Sequence, residues 1–419
     1  MVICIIFRAS ISHCSSLYPC TRCPQIHCRY KGRTWYLFEQ AFSSIPNEVS
    51  NSFCTKKSVL LSPLKDDISW DSAFSLFPHK DWFQDPKSFV DGGGLQSSPD
   101  WSRPPADKEN IFRSVRDFWI PKILQHDLHK FIVGHFQRQQ VDPPFSEDLV
   151  QQFRASLDTL LPLDKPLDWQ VRADQPLCLH ALQAISHHMN DPDRNLFPAL
   201  IEGVSTGFQD NIAPSNVFAA KPPTEDPARP ELSVHWTNWQ TAESQPELTE
   251  ELVQEEIEKG WLICFPGNLE DAKREYPLGV AVGKLSIATS DTRPPRLVVD
   301  FTVSGTNHNC DIPEHQQLPS AKDVVRSFPL RGHNEELGAM GLDVRAAHKL
   351  CVLHHSHRGL VGFSFKGRLY FYKVCPFGAR FSAWWWARLG SFFTRLIHQF
   401  IYTAHALFLF VDDYLLVQR

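Results

Sequence analysis

Two adjacent aspartates near the end of this 419-residue chain separate two runs of strand-forming residues. The runs are residues 406–411 and 414–417, and the pair between them is Asp412 and Asp413. Apolar, β-branched and aromatic residues on both sides are typical of a hairpin whose strands are buried. Burying two neighbouring carboxylates is costly unless cations neutralise them. The alternative is a solvated turn, since aspartate is common in turns, so the choice depends on the rest of the sequence.

The last part of the chain differs in charge from the part before it. Residues 343–419 contain ten Lys and Arg, three Asp and no Glu, a net charge of +7 (10 − 3). The whole chain carries −5, so the first 342 residues carry −12. The three acids of the basic segment are Asp343, Asp412 and Asp413. A basic surface that keeps three carboxylates fits a polyanion-binding surface with a metal centre, with chance composition as the alternative.

Length and composition predict an intracellular globular protein. The length allows two or three domains, and 42% hydrophobic residues with 12 Trp are ample for a core. No apolar run reaches the roughly 18 residues of a membrane span, so we expect no membrane partner. Eleven Cys without a disulfide framework suit a reducing compartment, with nucleus and cytoplasm both open. The sequence leaves the oligomeric state open.

A cysteine cluster near the start of the chain is a weak candidate for zinc. Cys20, Cys23 and Cys28, with His27, begin like a zinc knuckle, but a fourth ligand at the required spacing is missing. Unpaired thiols in a loosely ordered leader are therefore the favoured interpretation.

Changes in composition and in the periodicity of apolar residues divide the chain into three regions. Residues 1–105 form an irregular, partly disordered leader, because Ser, Pro and Gly interrupt any sustained period. Residues 106–240 form a mostly helical region with Pro-rich breaks, including helices predicted at residues 121–139 and 147–161. Residues 245–419 open with an acidic helix predicted at residues 250–259, capped by Thr249 and ended by Gly260. Strands and one long helix follow. This order predicts an α+β fold in which helices cover one face of an antiparallel sheet.

Asp343 ends an apolar strand predicted at residues 338–343 and lies 69 residues before Asp412. If the sheet places this strand beside the closing hairpin, three carboxylates meet at one edge. Shared carboxylates can hold two divalent ions about 3.5–4 Å apart for phosphoryl transfer. Magnesium needs only a few carboxylates beside waters and phosphates. A strand-end cap is the alternative role for Asp343.

Between these acids, Pro376, Phe377 and Gly378 predict a turn that follows a strand and starts a helix. Backbone at a glycine can approach a flat ligand closely, and Phe377 could pack on a nucleotide. For residues 384–386, three consecutive Trp, a place in the core is the favoured interpretation.

Several segments resemble, in order and spacing, the motifs of reverse transcriptases, with retroelement polymerases, including those of dinoflagellate genomes, as the nearest likeness. The palm-like segments are Asp343 with Val344, residues 372–378, residues 381–383 and residues 410–413. Residues 296–301 and Asn307 resemble the fingers strand upstream of the palm.

The resemblance implies the fingers and partial palm of a right-hand polymerase over residues 245–419. It implies an RNA-directed DNA polymerase of a retroelement, which adds deoxynucleotides to a primer 3′-hydroxyl. The implied cofactor is two Mg²⁺ ions, or Mn²⁺, and the implied partners are an RNA or DNA template with primer and deoxynucleoside triphosphates. The catalytic and metal-binding residues would be Asp343, Asp412 and Asp413.

The resemblance also implies a nucleotide pocket. Arg296 stands where the family grips the triphosphate, which suits a guanidinium fork, and Lys284 is a looser candidate for the γ-phosphate. Phe377 and Gly378 would line the pocket. His348 stands where the family often has an aromatic residue that excludes the ribose 2′-hydroxyl, so this departure leaves sugar selectivity open.

Three function classes remain after the sequence is compared with this pattern. Because the thumb and RNase H regions of the family are not in this sequence, we expect a fragment with weak or no polymerase activity. The alternatives are a catalytically inactive nucleic-acid-binding remnant and an RNA-directed RNA polymerase.

Overall fold

The structure, a computed structural model, describes residues 17–19, 26–30, 33–37, 112–128, 146–172, 175–222, 229–290, 293–316, 318–320, 323–324, 338–401 and 405–418. The helices in these ranges are α1 (Arg113–Gln125), α2 (Glu147–Leu160), α3 (Leu179–His188), α4 (Leu196–Glu202), α5 (Gln240–Glu243), α6 (Pro246–Glu258), α7 (Leu269–Glu275) and α8 (Arg380–Phe400). The strands are β1 (Leu17–Pro19), β2 (Ile26–Tyr30), β3 (Arg33–Leu37), β4 (Ala219–Ala220), β5 (Leu262–Cys264), β6 (Val282–Ser290), β7 (Arg293–Asp300), β8 (Glu314–His315), β9 (Gly338–Asp343), β10 (Gly362–Phe365), β11 (Arg368–Tyr372), β12 (His405–Phe410) and β13 (Asp413–Gln418). Within the described ranges, no helix has the length and apolar character that crossing a membrane requires.

Strands β1 to β3 form a small antiparallel sheet in sequence order. They fall within residues 1–105, where the sequence predicts an irregular leader, and the rest of that leader lies outside the described residues. Of the proposed zinc ligands, Cys20 and Cys23 also lie outside the described residues, so the zinc interpretation stays untested.

The helical region between residues 112 and 202 follows its local sequence signals. The predicted helix at residues 147–161 is confirmed as α2, and Ser146 caps it by accepting a hydrogen bond from the Leu149 amide. Helix α1 starts eight residues before Pro121, which lies inside it rather than at its first turn. Residues 129–139 of that predicted helix lie outside the described residues.

Helix α6 begins earlier than its acidic pattern predicts. Its first residue is Pro246, which suits a first helical turn because that position has no use for an amide hydrogen. Thr249 is therefore not the cap that we expected: its hydroxyl donates instead to the carbonyl oxygens of Gln245 and Ala242, at 2.8 and 3.0 Å. Gly260, predicted to end the helix, follows it with φ of +72°.

A five-stranded sheet with the order β5-β11-β10-β6-β7 forms one half of the strand region. Its pairs are antiparallel except for β10 beside β6, which is parallel. The sheet is therefore mixed rather than antiparallel throughout. In β6, Leu285 and Ile287 are buried while Lys284 and Ser286 between them are half-buried, which is the alternation of a strand with one core face.

The second sheet, of three strands in the order β12-β13-β9, is antiparallel throughout. The predicted closing hairpin and the predicted strand at residues 338–343 are both confirmed here. This sheet brings residues from two distant parts of the chain to one edge.

Helix α8 runs through the core, and its side chains are buried along most of its 21 residues. Trp384, Trp385 and Trp386 are 2%, 1% and 0% exposed, so their predicted place in the core is confirmed. The indole of Trp385 donates to the carbonyl oxygen of Ser205 at 2.7 Å, which ties the helix to the region that follows α4.

Two ion pairs also join α8 to the segment before α4. The Arg388 guanidinium forms a bidentate pair with Asp193, with nitrogen–oxygen distances of 2.8 and 2.5 Å and both side chains fully buried. Arg395 pairs in the same way with Asp191. Burial raises the pKa of Asp193, and the hydrogen bond and charge of Arg388 act in the opposite direction. Both carboxylates come from one short loop, so the loop and the helix are held as a unit.

Candidate metal centre and its surroundings

The pairing of β9 with β13 brings three aspartates together. Asp343 at the end of β9 lies directly opposite Asp413 at the start of β13. The amide of Val344 donates to the carbonyl oxygen of Asp412 at 2.9 Å, which holds the third acid beside them. One carboxylate oxygen from each aspartate lies within 4.8 Å of the others, and all three residues are half-buried.

This donor set fits a hard divalent cation. It consists of carboxylate oxygens without thiols or imidazoles, which is the chemistry that Mg²⁺ and Mn²⁺ prefer. Partial burial makes three negative charges at this spacing costly without a cation. Asp343, Asp412 and Asp413 are therefore placed as the sequence predicts, in a group able to hold metal.

The turn that carries Asp412 has a strained backbone. Val411 adopts φ of +56°, a left-handed conformation that is rare for a β-branched residue. The buried indole of Trp386 in α8 donates a hydrogen bond to the Val411 carbonyl oxygen. Such conformations persist where surrounding contacts fix them, and Trp386 supplies a contact of that kind. No sequence signal marked Trp386 as more than a core residue.

Hairpin β12–β13 packs directly on the middle of α8. The Tyr414 hydroxyl donates to the Gly390 carbonyl oxygen at 2.7 Å, and burial raises the pKa of this phenol above its ordinary value. A Cβ atom on Gly390 would lie 2.5 Å from Leu409 Cδ2. The absence of a side chain at Gly390 therefore allows the hairpin to approach the helix.

The predicted turn at Pro376, Phe377 and Gly378 is present, but its glycine has a different neighbour from the one expected. Gly378 has φ of +94°, and a Cβ atom there would lie 2.2 Å from the Val299 carbonyl oxygen of β7. Protein backbone rather than open space for a ligand therefore faces that side of Gly378. The sequence-based argument that glycine allows a ligand to approach does not apply to this side.

Hydrogen bonds from the Asn307 side chain hold the same turn in place. Its Nδ2 donates to the Gly378 carbonyl oxygen at 2.9 Å, and its Oδ1 accepts from the Arg380 amide at 2.8 Å. The second bond satisfies an amide in the first turn of α8, whose preceding residue Ala379 has no side chain able to do so. Asn307 thus links the segment that follows β7 to the start of α8.

Phe377 lies among three basic side chains. The Arg296 guanidinium carbon is 5.3 Å from the ring centroid, and Lys349 Nζ is 5.6 Å from it. The His348 ring meets the Phe377 ring edge to face at 5.5 Å and 62°. Burial lowers the pKa of His348 to about 4, so its imidazole is neutral at pH 7. Arg296, Phe377 and His348 are therefore brought together, as the sequence predicts.

Lys284 does not join this group. It is in register with Asp300, whereas Arg296 is in register with Ala288. Four residues of strand separate the two positions, which corresponds to about 13 Å along the sheet. Lys284 Nζ instead lies 4.9 Å from the ring centroid of Trp239.

No pattern in the sequence predicts the buried ion pair that lies close to Phe377. Lys349 Nζ bonds Glu256 Oε1 of α6, and the two side chains are 3% and 11% exposed. The ammonium group also lies 4.4 Å from the ring centroid of Trp261. Burial lowers the pKa of Lys349, while the charge of Glu256 opposes the shift. The partners are 93 residues apart, so local patterns could not pair them.

Comparison with known proteins gives distant structural likenesses and no match by sequence family. No protein-family model matches the chain, and no curated protein matches it. Among solved structures, the foamy viral protease-reverse transcriptase dRH in complex with double-stranded DNA has 13% identity and a TM-score of 0.33, over 47% of this chain and 30% of that one. The foamy viral protease-reverse transcriptase in complex with RNA/DNA hybrid has 11% identity and a TM-score of 0.32, over 64% and 29%. The native prototype foamy virus protein has 12% identity and a TM-score of 0.31, over 45% and 21%. The chain therefore matches less than a third of the length of each.

Proposed function

We propose that this chain belongs to an RNA-directed DNA polymerase of a retroelement, a nucleotidyltransferase that extends a primer 3′-hydroxyl. The observation that carries the proposal is the group formed by Asp343, Asp412 and Asp413, with carboxylate oxygens within 4.8 Å of one another. The resemblance of the surrounding motifs to reverse transcriptases supports it. So does the net charge of +7 in residues 343–419, which suits a nucleic-acid strand.

In the proposed reaction, the three aspartates would hold the metal at the edge of the second sheet. The chemistry that two divalent ions would supply there is activation of the primer hydroxyl and neutralisation of charge at the reacting phosphate. The sheet register fixes Asp343 opposite Asp413, and Trp386 fixes the turn that presents Asp412. Ligands held in this way need little rearrangement when substrate arrives.

The incoming deoxynucleotide would lie beside Phe377. The exposed Arg296 guanidinium offers a fork of donors for the triphosphate, and the Phe377 ring offers an apolar surface for the sugar or base. His348, which is neutral and packed against that ring, would border the sugar. Lys284 is left outside this pocket in the proposal, because it packs on Trp239 and lies four strand positions from the register of Arg296.

Single-nucleotide extension tests the proposal. A labelled DNA primer on an RNA template is incubated with the 419-residue protein, one deoxynucleoside triphosphate and Mg²⁺ or Mn²⁺. Because the wild-type chain is expected to be weakly active, only slow extension is expected from it, with a further loss of at least about 100-fold in Asp343→Asn and Asp412→Asn, comparable to removal of one electrostatic stabiliser in other enzymes. Asp164 is an exposed acid remote in sequence from the three aspartates. Asp164→Asn therefore serves as the control and should extend the primer as the wild type does.

Metal binding gives a second readout that does not depend on turnover. Titration of Mn²⁺, followed by electron paramagnetic resonance, should show tight binding in the wild type and in Asp164→Asn. Asp343→Asn should weaken that binding. Equal Mn²⁺ binding in wild type and Asp343→Asn would contradict the metal centre.

Two outcomes would favour the alternatives. Salt-dependent RNA binding that is the same in Asp412→Asn, with no extension by the wild type, would identify a nucleic-acid-binding remnant. Preferential incorporation of ribonucleotides would identify an RNA polymerase.

A further inference from the structure

A cavity separate from the aspartate group lies where α3 and α4 meet residues 352–358. Its volume is about 360 Å³, and none of the aspartates or the residues around Phe377 lines it. The apolar part of its wall consists of Leu177, Leu179, Leu200, Ile201, Val352 and Leu353. A cavity of this size is within the range of small-ligand sites.

The polar part of the wall is rich in basic side chains. Two arginines and three histidines line it, against one carboxylate. Nη2 of the exposed Arg172 is 3.2 Å from Nε2 of His180, and because a guanidinium only donates, that imidazole nitrogen accepts. Arg358 is oriented by the Leu353 carbonyl oxygen, at 3.4 Å from Nε and 3.5 Å from Nη2. The wall therefore favours an anion.

A buried amide on the same wall points to a ligand that also has a hydrogen-bond donor. Gln175 is 8% exposed, and its Oε1 is buried with no hydrogen-bond partner among the described residues. A buried acceptor without a partner is unfavourable. A hydroxyl or amino group of a bound molecule would satisfy it.

The start of α3 adds to the preference for negative charge. Leu179 and His180, the first two residues of this ten-residue helix, line the cavity. The preceding Cys178 makes no side-chain hydrogen bond to the helix start. The positive end of the helix dipole therefore lies beside the same space as the basic side chains.

We propose that this cavity binds one nucleotide unit through its phosphate ester. Arg172 and Arg358 would hold the phosphate, for which the guanidinium fork is well shaped. The apolar wall would receive the sugar or base, and Gln175 Oε1 would accept from a hydroxyl or amino group. The unit belongs either to an RNA or DNA strand or to a free mononucleotide. The choice of a nucleotide over other anions rests on the proposed function.

The cavity is connected to the candidate nucleotide pocket through backbone. The Leu353 amide donates to the Lys373 carbonyl oxygen at 2.8 Å, and Val352 forms a β-bridge with Val374. Val374 follows the end of β11 and lies three residues before Phe377. A nucleic-acid strand bound in the cavity would therefore lie next to the protein segment that carries Phe377 and the proposed nucleotide pocket.

Arg172→Gln in the full chain tests the site, and Arg194→Gln is its matched control. Both arginines are exposed and lose the same charge, and the control arginine makes its contact with Asn190 outside the cavity. Binding of a labelled twelve-nucleotide RNA is measured by fluorescence anisotropy in EDTA at several salt concentrations, and binding of adenosine monophosphate by calorimetry. Circular dichroism checks that each variant is folded.

We expect Arg172→Gln to weaken RNA binding several-fold and to reduce the slope of log K against log salt by about one, while Arg194→Gln changes neither. Loss of RNA binding alone assigns the site to a strand, and loss of binding to both ligands assigns it to a single nucleotide. Equal effects of the two variants, no effect of either, or equally Arg172-dependent binding of a poly-glutamate peptide would overturn the proposal. Because the assay omits metal, its failure is separate from a failure of primer extension.

Discussion

The indole nitrogen of Trp386 donates a hydrogen bond to the carbonyl oxygen of Val411, the left-handed residue directly before Asp412. The central helix α8 thus holds the tip of the closing hairpin from inside the core. The position of Asp412, one of the three proposed metal ligands, therefore depends on a side chain outside the aspartate group. This relationship can be tested apart from catalysis.

Trp386→Phe should loosen the turn while keeping most of the packing. Loss of the bond should lower the free energy of unfolding by about 1–2 kcal/mol and weaken Mn²⁺ binding by about tenfold, as loss of an orienting group does at other metal sites. Urea unfolding and Mn²⁺ titration measure the two effects. Trp239→Phe, at an exposed position, is the control. Unchanged Mn²⁺ affinity in Trp386→Phe would show that the bond does not position Asp412.

Gly378→Ala should destabilise the protein more than a comparable change at Gly367. Both glycines have positive φ, +94° and +73°, so both variants suffer a backbone penalty. Only at Gly378 would the new Cβ meet the Val299 carbonyl oxygen, whereas nothing lies within 4 Å at Gly367. We expect a loss of about 1 kcal/mol at Gly367 and at least about 3 kcal/mol at Gly378. Equal losses by urea unfolding would show that β7 moves away readily.

Substitution of Lys349 alone should lower the free energy of unfolding more than substitution of both members of its ion pair. Lys349→Met leaves the Glu256 carboxylate buried without its cation, at a cost of about 3–5 kcal/mol. The double variant Lys349→Met, Glu256→Leu should recover most of this loss, since an apolar pair of similar volume replaces two desolvated charges. Urea unfolding of the wild type, Lys349→Met, Glu256→Leu and the double variant gives the coupling free energy.

The exposed pair of Lys366 and Glu250 provides the comparison for that cycle. Its side chains are 51% and 61% exposed, and its coupling should stay below about 1 kcal/mol. A buried pair that couples no more strongly than this exposed pair would contradict the assigned cost of desolvation.

Acidification should destabilise the protein through His357. Its Nδ1 lies 3.0 Å from the Thr206 hydroxyl, and burial lowers its pKa to about 4 from 6.5. Between pH 6.5 and pH 4 the unfolded chain binds a proton that the folded chain does not, so stability is full above pH 6.5 and falls as the pH approaches 4. The loss for this group is up to about 3 kcal/mol at 1.36 kcal/mol per pKa unit.

His357→Gln should flatten the pH dependence of unfolding in that window. His348, with its pKa also lowered to about 4, would account for part of the slope that remains. His308→Gln, at an exposed position, should leave the slope as it is in the wild type. A slope in His357→Gln equal to that of the wild type would exclude His357 as the titrating group.

The parts of the site that are predictable from sequence are those encoded by local patterns. Continuous apolar, β-branched and aromatic runs predict β9 and the closing hairpin, and acids at strand ends identify Asp343, Asp412 and Asp413 before their pairing is known. The parallel contact of β10 with β6 and the pair of Lys349 with Glu256 join segments about 80 and 93 residues apart, and no short-range pattern encodes such choices. The role of Gly378 depends on the position of β7 in the same way.

The ion pairs between α8 and residues 191 and 193 have a consequence for any attempt to isolate the strand region. A protein shortened to residues 245–419 would expose the side of α8 that now meets this loop, and Arg388 and Arg395 would have lost their carboxylates. Guanidinium groups cannot give up their protons to escape burial, so the shortened chain would have to hydrate the middle of its longest helix. Soluble expression of residues 245–419 alone would therefore require replacement of both arginines by apolar residues, or retention of the chain from about residue 175.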